Sequence, residues 1–274
     1  MYELRDVRKV FDDGSLALDG VSLTVGGGEH VAFIGPSGAG KTTLFRILNL
    51  TLRPTSGTLL LDGLDVATLS GSEVRRARTR IGSIYQQHNL VGRLRVVHNV
   101  LAGHLGRVST LAALGSLIRP EPEMAARALA QVGIPEKLYA RTDELSGGQQ
   151  QRVAIARVLV QDPDVILADE PVSSVDPTLA VTIVTRLRDI SGESRKTLLM
   201  NLHSVQLALA YFPRVIGIRD GRVEFDLSPD KVTPDLLDEL YAGHADEARE
   251  VTELRAGVNA FGRACRPLPG FHRQ

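Results

Sequence analysis

Two short segments carry side chains suited to phosphate chemistry. Gly35-Pro36-Ser37-Gly38-Ala39-Gly40-Lys41-Thr42 fits the pattern G-x-x-x-x-G-K-[ST]. Its glycines let the backbone curl so that N–H groups converge on phosphate oxygens. A helix opening at that point adds the positive end of its dipole. Lys41 brings a mobile cation for the outer phosphates, and the Thr42 hydroxyl can ligate Mg²⁺. The second segment, Val165-Ile166-Leu167-Ala168-Asp169-Glu170, is an apolar run ending in two carboxylates. Asp169 can hold Mg²⁺ directly or through water. Glu170 can polarise an attacking water as general base, a role worth roughly 10² to 10⁴ in rate. Taken singly, the second segment reads equally as a surface loop, whereas composition alone would seldom make the first as a glycine-rich turn with a chance lysine. Occurring together, they favour a site for a nucleoside triphosphate and its metal. The spacing differs from G-x-G-x-x-G, which disfavours a dinucleotide. None of the five lysines follows an asparagine, so the Asn-Lys-x-Asp reader of guanine is missing. Adenine, held by stacking on an aromatic ring, is the expected base.

Such groups need a rigid frame, and the flanking pattern supplies one. His30 to Ile34 reads as a short apolar strand ending at Gly35, and Lys41 to Leu50 as a helix with Leu44, Ile47 and Leu48 at helical spacing. Ala17 to Val25 alternates apolar and polar residues and ends at the turn Gly26-Gly27-Gly28. Thr58 to Leu61 and Ile81 to Tyr85 read as further strands. Residues 86 to 140 are richer in helix signals, with Met124, Leu129 and Val132 on one face of a helix that Pro120 and Pro122 introduce. Val165 to Ala168 is continuous enough for a strand buried on both sides. Thr178 to Ile190 reads as helix and Thr197 to Leu202 as strand. Val215 to Ile218 and Arg222 to Phe225 flank a turn at Asp220-Gly221. This alternation predicts an α/β fold with a parallel sheet covered by helices.

Leu145-Ser146-Gly147-Gly148-Gln149-Gln150-Gln151-Arg152 adds a further feature. Ser146 is placed to cap a helix whose first N–H groups two glycines expose, a second anion site. An ordinary Ser-capped helix is the plain alternative. Together with the cradle and the acidic pair, however, the run resembles the signature of ABC-type ATPases, in the right order over roughly residues 2 to 226. The resemblance implies a P-loop NTPase fold of ABC ATPase type: a mixed-sheet core, an antiparallel β subdomain and a helical subdomain at about 86–160. It implies an ATP-binding domain over 1–242 and a charged, Pro-broken tail over 243–274 that is expected to be mobile. It also implies ATP and Mg²⁺ as cofactors, bound by the cradle from Gly35 through Thr42 with Thr43, and by Ser146, Gly147, Gly148 and Gln149. Gln86 resembles the Q-loop glutamine that meets Mg²⁺ and the attacking water. Ser173-Ser174-Val175-Asp176 resembles the D-loop, with Val175 where Leu is usual. His203 is similar to the switch histidine at the outer phosphate, and Phe11 matches the aromatic position that stacks on adenine. Because Ser146 is expected to face the phosphate of another copy, the resemblance implies a homodimer or a paralogue dimer.

Bulk properties narrow the class. The chain has 274 residues, 32 basic against 32 acidic, so a dedicated nucleic-acid partner is not expected. One cysteine precludes a disulfide framework within the chain. No apolar run approaches the roughly 18 residues of a membrane span, and Met1 to Asp6 shows no apolar signal core. Any membrane contact is therefore expected through a partner, at the cytoplasmic face. The helical stretch directly after Gln86 resembles bacterial importer subunits. Gln86 to Val91, Val96 to Gly103 and the segment His104 to Pro120 are similar to the ATP-binding subunit of phosphonate importers, with His88 in place of Phe. That implies an integral permease and, through it, a substrate-binding protein. An importer of polar amino acids or other small anions is the alternative within transport. A non-transport ABC ATPase is the alternative outside it, although one cassette leaves no room for the long insertion usual there. A non-hydrolysing nucleotide-binding regulator is disfavoured by Glu170.

Overall fold

A computed structural model describes residues 1–85, 89–107, 122–173 and 175–244. Among the described residues, ten strands form two sheets. β1 (Tyr2–Val10), β2 (Leu16–Val25), β4 (Ser56–Leu61) and β5 (Leu64–Asp65) make an antiparallel sheet in the order β2-β1-β4-β5. The other strands are β3 (His30–Ile34), β6 (Ile81–Tyr85), β7 (Val165–Asp169), β8 (Thr197–Asn201), β9 (Arg214–Arg219) and β10 (Arg222–Leu227). They form a six-stranded sheet in the order β10-β9-β3-β8-β7-β6, parallel except at the β10 edge.

The central strands are apolar on both faces because both faces are covered. Ala32, Ile34, Ile166, Ala168, Leu198 and Met200 join one core cluster. Their neighbours Val31, Phe33, Val165, Leu167 and Leu199 join the other, as the two-residue period of a strand requires. The second cluster is closed by α1 (Lys41–Leu48) and the antiparallel sheet. The first is closed by α3 (Val96–Leu101), α4 (Pro122–Gln131), α5 (Gly147–Gln161), α6 (Pro177–Glu193), α7 (Val205–Tyr211) and α8 (Pro234–Leu240). Among these, α3, α4 and α5 pack on one another, and α5 also meets β6. One helix, α2 (Gly71–Thr79), buries no side chain fully and stands on the capping box of Ser70 and Glu73.

The boundaries differ from expectation in physical ways. The first helix stops at Leu48, not Leu50, because Leu50 takes a left-handed backbone with φ 63°. Val132 lies beyond the end of α4 yet is buried with Ala125, Ala128 and Leu129. The strand expected to reach Leu202 ends at Asn201. The expected tail lies, beyond His244, outside the described residues, as do Gln86, Ser174 and much of the segment to Pro120.

Candidate functional site

The site follows from where the chain leaves the parallel sheet. The cradle follows β3, the acidic pair closes β7, and His203 follows β8 by two residues, with β3, β8 and β7 adjacent. Ligands of open α/β sheets bind outside the carboxyl ends of such strands.

The cradle needs glycine at its two tightest points. Gly35 has φ 144°, and a Cβ there would lie 1.9 Å from the Ile218 carbonyl oxygen. Gly40, the N-cap of α1, has φ 98°, and its Cβ would lie 2.3 Å from the Ala17 carbonyl oxygen. No side chain caps α1. Ser37 and Gly38 are exposed at the tip, whereas Pro36 and Ala39 are buried. Lys41 is 4% exposed, and its ammonium donates to the carbonyls of Gly35 at 2.6 Å and Pro36 at 2.9 Å. The lysine thus braces the loop from inside. The Gly35 N–H donates in turn to the Tyr241 hydroxyl at 3.1 Å, a contact across 206 residues.

Opposite the cradle, the Thr42 hydroxyl donates to Asp169 Oδ1 at 3.3 Å. Burial pushes the Asp169 carboxyl above its usual range, while the Asn201 amide opposes that shift. Among the described residues no group of three or more His, Cys, Asp or Glu side chains could hold a metal ion. A cation such as Mg²⁺ takes one or two protein oxygens and completes its shell with phosphate and water. Thr42 and Asp169 offer that donor set. Glu170 sits at φ 52°, and its Oε1 meets His203 Nε2 at 2.8 Å. The hydrogen bond from His203 holds the Glu170 carboxyl below its usual range against the opposing effect of burial, and the Lys41 charge adds to it. The structure therefore brings together Lys41, Thr42, Asp169, Glu170 and His203. Thr43 lies half-buried in α1 beside them in sequence.

Other expected residues lie elsewhere. Ser146 caps α5, its hydroxyl accepting from the Gln149 N–H at 3.4 Å, while Gln149 Oε1 accepts from the Ser146 N–H at 3.1 Å. This capping box turns Ser146 and Gln149 toward each other, and Ser146 and Gly147 are exposed. Asp176 caps α6, accepting from the Leu179 N–H at 2.9 Å, and Val175 packs against the core. Phe11 closes a turn after β1 and is half-buried, with the Lys9 ammonium 5.4 Å above its ring. Gln86 lies outside the described residues. Two contributors escaped the motifs: Tyr241, whose position after Thr233-Pro234 and Leu236-Leu237 was legible as a helix end, and Asn201, which carried no local signal.

This sheet order, with a phosphate cradle after β3 and an acidic pair after β7, defines a P-loop nucleoside triphosphatase. The model of a family described as ABC transporter matches residues 18–173. "Phosphonates import ATP-binding protein PhnC 3" of Halalkalibacterium halodurans is 46% identical over 242 residues, 88% of this chain and 94% of that protein. "Phosphonates import ATP-binding protein PhnC 1" of Pseudomonas syringae pv. syringae is 46% identical over 242 residues, 88% and 91% of the two chains. Among solved structures, the dimeric post-hydrolysis state of the ATP-binding cassette MJ0796 bound to ADP and Pi is 31% identical. It matches with a TM-score of 0.73, over 84% of this chain and 99% of that one. The chain belongs to the ABC transporter family and has the fold of its ATP-binding cassettes. No described helix is long and apolar enough to cross a membrane.

Proposed function

We propose that this chain is the ATP-hydrolysing subunit of a bacterial importer for phosphonate or a closely related phosphorus oxyanion. The observation that carries the reading is the meeting of Lys41, Thr42, Asp169, Glu170 and His203 at one sheet edge, in a chain with relatives named as phosphonate import proteins. Backbone N–H groups from Gly35 to Thr42 hold the phosphates, with adenine against Phe11. Lys41 leaves the carbonyls of Gly35 and Pro36 and turns its charge to the outer phosphates. Thr42 and Asp169, with Gln86, hold Mg²⁺, which neutralises charge on the phosphate oxygens when bound. Glu170 takes the proton of the attacking water, and His203 orients Glu170 and the outer phosphate.

One chain offers one cradle and one signature, so two copies, or a paralogue pair, complete two sites. Ser146, Gly147, Gly148 and Gln149 of each then face the phosphate in the other's cradle, and Asp176 lies at the crossing. ATP joins the pair and hydrolysis releases it, a ligand-driven two-state element. The pair sits peripherally at the cytoplasmic face beneath an integral permease, which receives its cargo from a substrate-binding protein. The segment after Gln86 meets the permease. Its described part fits that role: Val91 and Leu94 are exposed, and the bridge between Arg95 and Arg141 brings exposed Tyr139 close by.

The test is genetic. A strain lacking this gene stops growing on phosphonate as sole phosphorus source and continues on phosphate. A strain that still uses phosphonate and phosphite but fails to take up an amino acid would move the cargo and keep the importer. A strain impaired on no nutrient, with a protein that binds no permease, would remove both.

A further inference from the structure

The acidic pair of the site is held by a residue on the next strand. Asn201 ends β8, lies opposite Asp169 in the β7–β8 register and is fully buried. Its Nδ2 donates to Asp169 Oδ1 at 2.7 Å. Its main-chain carbonyl accepts from the Glu170 N–H at 3.2 Å. One residue therefore grips the side chain of the first carboxylate and the backbone of the second. The orientation of the amide follows from chemistry, since a carboxylate accepts and only the NH₂ end can donate to it.

The placement is not what packing alone would select. The rest of β8, Thr197 to Met200, is buried, and three of its four side chains are apolar. Asn201 Oδ1 is buried and has no hydrogen-bond partner among the described residues. A buried amide satisfied at one end only is unfavourable without a reason to keep it. The bond to Asp169 supplies that reason. Thr42 and Asn201 both donate to Oδ1, which fixes the rotation of the carboxylate. Residues one layer behind a metal ligand aim it in this way, and losing them weakens metal binding about 10- to 100-fold.

We propose that Asn201 is a positioning residue that presets Asp169 for the divalent cation of the bound nucleotide. With Oδ1 so held, Asp169 would offer its other carboxylate oxygen to that cation or to a water it carries. The inference rests on the reading of the cradle as a Mg²⁺–ATP site, and the experiment separates the two.

Full-length wild type and Asn201→Leu are titrated with a fluorescent ATP analogue, first in EDTA and then at fixed nucleotide with rising Mn²⁺, bound ion being read by electron paramagnetic resonance. Asn201→Leu should match wild type in EDTA and melt cooperatively. Its Mn²⁺ midpoint should rise about 10- to 100-fold. Should that variant fail to fold, Asn201→Ser keeps a shorter donor and should give a smaller rise in the same direction. An unchanged Mn²⁺ midpoint, or an equal loss with and without metal, would overturn the role of Asn201 alone. A wild-type chain whose nucleotide binding ignores Mn²⁺ would overturn the Mg²⁺–ATP reading and this inference with it.

Discussion

Two helix N-termini in this molecule are built from similar glycine-containing sequence and prepared differently. α1 opens from Gly40 with no side-chain cap, its approach held from below by Lys41 and Tyr241. α5 opens from Ser146 with a complete capping box to Gln149. The first terminus is an anion site prepared within one chain, with a cation, a hydroxyl and two carboxylates close by. The second satisfies part of itself locally, through the Ser146–Gln149 box. The difference fits the proposal that one chain holds the nucleotide and a second chain brings the other half of the site.

The largest expected effect tests whether the halves meet. Glu170→Gln keeps the shape of the side chain and removes the base, so hydrolysis should fall by about 10² to 10⁴ while ATP still binds. ATP should then trap a dimer that size-exclusion chromatography resolves. Adding Ser146→Arg to the same chain should abolish that dimer, because a bulky cation replaces the small cap at the facing surface. A dimer that survives the second change would place the contact elsewhere.

A smaller effect separates the termini by affinity. Lys41→Ala removes the cradle's lysine cation as well as its brace on Gly35 and Pro36. A charge-assisted bond is worth about 1.5–3 kcal/mol, so nucleotide affinity should drop roughly 10- to 100-fold. Ser146→Arg should leave the affinity of the isolated chain nearly unchanged. Mixing the two variants should restore one working site per heterodimer. A mixture no more active than either parent would contradict the division of labour drawn above.

Much of the cradle edge was legible because its signals are local. A G-x-x-x-x-G-K-T run, an apolar strand and an Asp-Glu pair each fit within a few residues, and the bounds of β3 and β6 follow from hydrophobic runs ending at glycine or at polar residues in the sequence. The residues that aim these groups were not legible. Asn201 reaches Asp169 across 32 positions, and Tyr241 reaches Gly35 across 206; no spacing rule records such distances. α2 was passed over because it buries no side chain and so shows no strong apolar stripe, although Ser70 and Glu73 spelled its cap. At the signature, Ser146 and Gln149 likewise spell a capping box, S-x-x-Q, in which Gln149 folds back on Ser146.

The pH response probes the cradle edge alone. His203 holds the Glu170 carboxyl below its usual range. A lowered carboxyl pKa keeps the base ionised as pH falls, so the acid limb of single-turnover hydrolysis should lie below that of an ordinary glutamate. By linkage, this ionised group contributes stability above its unfolded pKa and loses it as pH falls through the folded one. His203→Ala removes the donor, so the acid limb of whatever activity remains should move to higher pH. A limb that stays in place would detach His203 from the ionisation of Glu170.

The smallest effect concerns the brace beneath the cradle. Tyr241 is 2% exposed, its ring packs in the larger core cluster, and its hydroxyl accepts the Gly35 N–H. Tyr241→Phe keeps the ring and removes that acceptor. Gly35 cannot tilt toward β9 to find another, because Ile218 already crowds it. The first residue of the cradle thus loses one of its two fixed sides. A hydrogen bond of about 0.5–1.5 kcal/mol corresponds to a loss of roughly 2- to 10-fold in nucleotide affinity, if the bond serves the loop's shape. The signature should not notice. In a heterodimer where the Tyr241→Phe chain also carries Lys41→Ala, and so supplies only its signature, activity should equal that of the Lys41→Ala chain mixed with the same Ser146→Arg partner. A loss of activity in that arrangement would show that the hydroxyl supports the whole fold rather than the cradle, and would erase the contrast between the two helix ends at this position.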